Sequence, residues 1–398
     1  MPQATDHSGY PTVELSNQAM NSRERVFAAL DHREPDRIPF DLGSTQVTGI
    51  HVVAYRNLRA YLGLPPVDPQ LSDVIQQLAV PDEDVVERLG IDVRGLFPLN
   101  SHNWRVLNRD VGDYWAYTDE WGIRHHRPKA DGLYYSVVSS PLSGPITLEN
   151  LRTYRWPNTG DPGRIAGLRE QALAYRARGQ AVVLKGVLAG IFEMAQRVRG
   201  MSELLMDMVA DEDLASGFLD KMLELKLAFW EMALPRLADV VDVVSEADDY
   251  GTQTSQLISP RMFRKLCKPR LHTLFRRIKQ LAPRAKLFFH SCGNVRPLLP
   301  DFVEIGVDIL NPVHIRATGM DPVALKRDFG RDLVFWGGGV DTQGVLPMGT
   351  PQQVKDDVRR NVDALAPGGG YVFNTVHNIQ ADVPPENVIA MWQALRGI

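Results

Sequence analysis

Only two cysteines, Cys267 and Cys292, occur in the 398 residues. That excludes a disulfide framework and suits a reducing compartment. No apolar run approaches the roughly 20 residues that span a membrane. The opening stretch MPQATDHSGY shows no basic-then-apolar leader pattern. Charge of one sign is not in excess: the formal net charge is −4, so nothing biases the chain towards nucleic acid. A cytoplasmic protein is expected, with no nucleic-acid or membrane partner. Low-complexity linkers are missing too. One domain, 22–398, is therefore expected after a polar, unpatterned arm, 1–21.

A hydrophobic content of 44% supports a sizeable core. Ser22 reads as the N-cap of a first helix, with an apolar stripe at Val26, Phe27 and Leu30. The run 38–42 (IPFDL) reads as a first strand, and 51–62 and 72–89 as helices. The aromatic, turn-rich stretch 114–138 reads as a β-hairpin insertion. After Pro157, short apolar strands alternate with helices: strands at 181–187, 240–245, 285–289, 307–310, 333–336 and 371–373, and a closing helix at 385–396. Strand–helix alternation means parallel pairing. With IPFDL and VRGLF the count is about eight, which predicts a single (β/α)8 TIM barrel with an N-terminal helical extension.

In such a barrel, chemistry gathers where strands end. Polar residues do cluster there: Asp41, Lys185, Glu246, Asp248, Asp249, His290, Cys292, Asn311, Asp341, Asn374, His377 and Asn378. His290 and Cys292 follow the run Leu287-Phe288-Phe289 and are ligand types that zinc prefers. Cys267 lies in a helical pattern away from any strand end. His377 is thus the leading third ligand, with a carboxylate from Glu246, Asp248 or Asp249 as the alternative. The bland readings stand beside these: a lone Cys packs as a small hydrophobe, and the carboxylates of SEADDYG cap a turn. The basic helix 260–281, broken at Pro269, reads as a solvated face, with an acidic docking partner as the alternative. His125 and His126 read as exposed hairpin residues.

The segments SRERVFAALDHREPDRIPFDLG, DDYGTQTSQLISP, FFHSCGNVRPLLPDFVEIGVDILNP, FWGGGVDTQ and HNIQADVPPENV resemble the uroporphyrinogen decarboxylase superfamily. The resemblance runs from about residue 22 to the C-terminus and is closest to the methyltransferase branch. It implies a (β/α)8 barrel, and a zinc held by His290, Cys292 and a later cysteine. Counting back from Pro384 in Pro384-Pro385-Glu386-Asn387 puts His377 where that later cysteine belongs. The Arg-Gln-Ala-Gly-Arg motif of metal-free decarboxylases is absent, and so is an Asp-x-His-x-x-Gly corrinoid-binding segment.

The resemblance implies methyl transfer between a small methylated substrate, such as a methyl ether, and a corrinoid (cobalamin) on a separate protein. Glu246, Asp248 and Asp341 are the catalytic candidates. Asp41, Lys185, Asn311 and Asn378 are the substrate contacts. A metal-independent decarboxylase and a non-catalytic tetrapyrrole or corrinoid binder are the alternatives, and a monomer or homodimer is expected.

Overall fold

The computed structural model describes residues 19–187 and 189–398. Most of the expected arm therefore lies outside the described residues. Asn21, not Ser22, caps the first helix, Ser22–Leu30, in a reciprocal capping box with Glu24.

Seven parallel strands run in sequence order around a curled sheet: Val93–Leu96, Ala181–Lys185, Val243–Ala247, Lys286–His290, Ile309–Asn311, Val334–Trp336 and Tyr371–Val372. The expected eighth strand, 38–42, is reduced to one bridge between Phe40 and Phe373. It still closes the ring. On one side Phe373 N–H donates to the Pro39 carbonyl, and on the other Asp92 N–H donates to the Phe40 carbonyl. Buried Asp92 accepts from the Phe40 N–H at 2.8 Å and binds both Arg25 and Arg37 at 2.7 Å. Two cations on one carboxylate compensate its burial. This closed, wound α/β sheet is the TIM-barrel fold expected from the sequence.

The barrel interior is packed by Val93, Val183, Val243, Phe288, Ile309, Val334, Trp336 and Val372. Strand neighbours point to opposite faces. Residues in register with inward Phe288 and His290, namely Ser245 and Ala247, therefore face inward, and Glu246 faces out.

Three sequence readings change. The stretch 72–89 is not one helix. Leu71–Asp73 and Leu78–Ala79 pair antiparallel, and the helix is confined to Glu83–Leu89. Pro81 and Asp82 reset the chain between them, since proline has no N–H to donate. The insertion is a four-stranded antiparallel sheet, Arg109–Val111, Tyr114–Thr118, Arg124–Pro128 and Ser136–Ser139. Within it His125 is buried, bonded to Asp119 at 2.9 Å and stacked on Tyr117. The basic helix is interrupted by a π turn, Phe263–Cys267, just before Pro269. Several of its charges are answered within the chain: Arg264 and Lys268 bind Asp301, Arg270 binds Asp220, and Arg277 binds Glu231.

Candidate metal centre

His290 ends its strand on the inward face, and Cys292 lies two residues on. The turn that carries Cys292 needs glycine. Gly293 has φ +84°, and a Cβ there would lie 2.5 Å from the Gly251 backbone; a Cβ on Gly251 would lie 2.4 Å from the Cys292 carbonyl. Two loops thus cross in backbone contact. Asp249 adds a tie, accepting from the Cys292 N–H at 2.8 Å. His377 arrives from the loop after Tyr371–Val372, with its ring 5.5 Å from that of His290.

The ligand atoms of His290, Cys292 and His377 lie within 4.8 Å of one another. Tetrahedral zinc with these ligands has edges of about 3.5 Å from its bond lengths, so the set is near closure. Burial pulls both imidazoles down to about 4, against the Asn311 hydrogen bond in His290 and reinforced by His290 in His377. They are neutral at physiological pH, with lone pairs available. Burial, then the Asp249 carboxylate, pushes the Cys292 thiol up. Only an entering cation would favour its thiolate.

Asn311 explains which His290 nitrogen is free. Its Nδ2 donates to the Trp336 carbonyl at 2.7 Å, which turns its Oδ1 towards His290 Nδ1 at 2.5 Å. The Nδ1 must then carry the proton, and Nε2 is left as the ligand. Asn311 is placed to orient the His290 ring.

The ligands open on a cavity of about 190 Å³ lined by Lys185, Glu193, Arg197, Asp73, Gln76 and Asp249, besides His290 and His377. Lys185 is brought there as expected, and burial pulls its ammonium down to about 8. Other expected site residues sit elsewhere. Glu246 faces away from the barrel, held by Lys226 at 2.7 Å and Trp230 Nε1 at 2.6 Å. Asp248 accepts from the N–H groups of Phe192 and Glu193 and from the Tyr250 hydroxyl. It caps the helix Ile191–Arg199 that carries Glu193 and Arg197. Asp341 accepts from the Gln343 and Val345 N–H groups and pairs with Arg316. Asp41 is fully buried among Ser44 and Trp336. Asn378 ties Gly49, Gln46 and Gln76 together. These five build the scaffold and do not line the cavity.

Asp73, Gln76, Glu193 and Arg197 were missed. The last two form an i,i+4 pair on the helix that follows a barrel strand. Their position after a strand end was the signal that could have found them.

A profile of the family described as uroporphyrinogen decarboxylase matches residues 136–398. The uroporphyrinogen decarboxylase of Azoarcus sp. (strain BH72) is 40% identical over 80 residues, a match covering 19% of this chain and 22% of that protein. The structure of a methyltransferase from Methanosarcina mazei superposes with a TM-score of 0.60 at 20% identity, covering 95% of this chain and 99% of the other. At that identity the likeness establishes the fold.

Proposed function

The chain belongs to the uroporphyrinogen decarboxylase family, and within it we propose a zinc-dependent methyltransferase. It would move a methyl group from a small methylated substrate, such as a methyl ether, to a corrinoid on a separate protein. The observation that carries this reading is the convergence of His290, Cys292 and His377 at the barrel mouth. Two neutral imidazoles and a thiol are a zinc donor set, and the hydrogen-bonded Nδ1 of His290 is the support such sites use.

Bound by these three, zinc would supply a Lewis acid that weakens a bond from carbon to a coordinated oxygen. The chain's own residues do the rest. Asn311 fixes the His290 ring. Asp249 holds the Cys292 backbone. Lys185 places a cation where an oxygen leaving group would gather charge. The Leu71–Ala79 hairpin and the helix bearing Glu193 and Arg197 form part of the cavity wall. Histidine in place of a third thiolate leaves the metal less electron-rich. That suits an oxygen substrate better than a thiol.

The decarboxylase alternative would draw its acid and base from Asp41, Glu246, Asp248 or Asp249; of these four Asp249 alone lines the cavity, and it is engaged by the Cys292 N–H. Elemental analysis of wild type and His377→Ala tests the proposal. About one zinc per chain, lost in the variant, together with methylation of cob(I)alamin by wild type alone, is expected. No zinc in reconstituted wild type would overturn it.

A further inference from the structure

A second cavity of about 280 Å³ adjoins the first, and the two share Asp73, Ile75 and Lys185 as a common wall. Its character differs. Besides Asp119 and the Arg164–Glu120 ion pair, four aromatic side chains line it: Phe97, Trp104, Tyr117 and Trp121. These residues come from the loop after Val93–Leu96 and from the inserted sheet. Tyr117 and Trp121 are themselves held by ring contacts on their far sides, to His125 and Tyr135 and to Trp156 respectively. The aromatic side of the chamber is thus a rigid box, and its remaining wall is polar.

One charged group on its wall lacks a direct partner among the described residues: Lys185 forms no ion pair, although the Asp73 and Glu246 carboxylates favour its charge. Its position on the shared wall places an ammonium between the metal ligands and the aromatic box.

Size sets the occupant. A dry apolar cavity of about 150 Å³ takes up benzene. The chamber therefore suits one ring with one or two substituents. Methanol or a methylamine would leave the box empty.

We propose that this chamber is the subsite for a single aromatic ring, so that the methyl donor is a methoxylated aromatic compound with its methoxy oxygen at the Lys185 wall. The inference rests on the methyl-transfer reading above. In the reaction, the O–CH3 bond breaks and a bond forms between the methyl carbon and a strongly nucleophilic acceptor, a reduced corrinoid. The electron pair of the broken bond stays on the aryl oxygen, and the Lys185 ammonium meets that phenolate charge. No oxidant or reductant beyond the acceptor is required.

Calorimetric titration of the zinc-loaded protein, with no methyl acceptor present, tests the subsite apart from turnover. The probes are 4-nitroanisole, 4-nitrophenolate and the non-aromatic cyclohexyl methyl ether. Stacking on aromatic walls should make 4-nitroanisole bind about tenfold more tightly than the cyclohexyl ether. Half-buried Trp104 can be truncated with little risk to folding. Trp104→Ala should cost the nitroanisole about tenfold while leaving the zinc content unchanged. Lys185→Met should weaken 4-nitrophenolate at least tenfold more than 4-nitroanisole. Equal binding of the two ethers, or indifference to Trp104→Ala, would overturn the subsite. Trp104-dependent ring binding in a protein that holds no zinc would uphold the subsite while the methyl-transfer reading fell.

Discussion

Asn311 holds His290 in one tautomer. Its amide is locked by the Trp336 carbonyl, and the oxygen left over can only accept from His290 Nδ1. The candidate metal centre thus depends on a residue that supplies no donor atom of its own.

Asn311→Ala should weaken zinc binding by roughly 10- to 100-fold, the usual effect of losing such a support. The barrel should remain folded. Competition against a chromophoric chelator reads the affinity, and unchanged affinity would show that the tautomer is fixed by something else.

Glu246→Ala should destabilise the fold by about 3–5 kcal/mol, because Lys226 would be left buried without its partner. Denaturant unfolding reads the loss. Zinc content of the folded fraction should stay at the wild-type value. A folded, stable variant with abolished turnover would instead return Glu246 to the chemistry.

The pH response of Asp41 follows from its burial, which raises its carboxyl to about 6 despite hydrogen bonds from Ser44 and Trp336. The folded-state value lies above the unfolded one of about 3.9, so folding favours the protonated form. That contribution is complete below pH 4 and lost as pH rises through 6. The loss is about 3 kcal/mol for a shift of this size. Asp41→Asn cannot ionise. Its stability relative to wild type should improve by that order between pH 4 and pH 7, as measured by urea midpoints. A pH-independent difference would show that Asp41 stays in one protonation state.

His377→Cys should keep about one zinc and shift preference away from ether oxygen. A second thiolate makes the metal softer and less acidic. Parallel assays with a methyl ether donor and a thiol acceptor should show the first falling and the second rising. A gain in ether demethylation would contradict the assigned role of the imidazole.

Much of the barrel was legible because its strands are short apolar runs bounded by breakers. The closing helix Pro385–Arg396 matches its expected span. The candidate metal donors were legible because one of the two cysteines lies two residues from a histidine after an apolar run. Which face a strand residue uses was not. Val243–Ala247 is buried throughout, so no alternation of polarity reveals that Glu246 points out while Ser245 points in. Register with Phe288 and His290 decides it, and register is a long-range property. The 71–79 hairpin was hidden for a similar reason. Its apolar residues Val74, Ile75 and Leu78 are spaced as on a helix, yet Leu78–Ala79 pairs with the Ile50–His51 strand and residues 74–77 form the turn of the hairpin. Asp73 and Gln76 reach the cavity only by that pairing.

The seam at Phe40 gives the barrel an order of assembly. The ring shuts only when the Pro39–Asp41 segment, made early, meets Phe373, made late. His377 follows that meeting point, so a nascent chain that stops before Phe373 would expose two unpaired sheet edges and lack one of the three candidate donors.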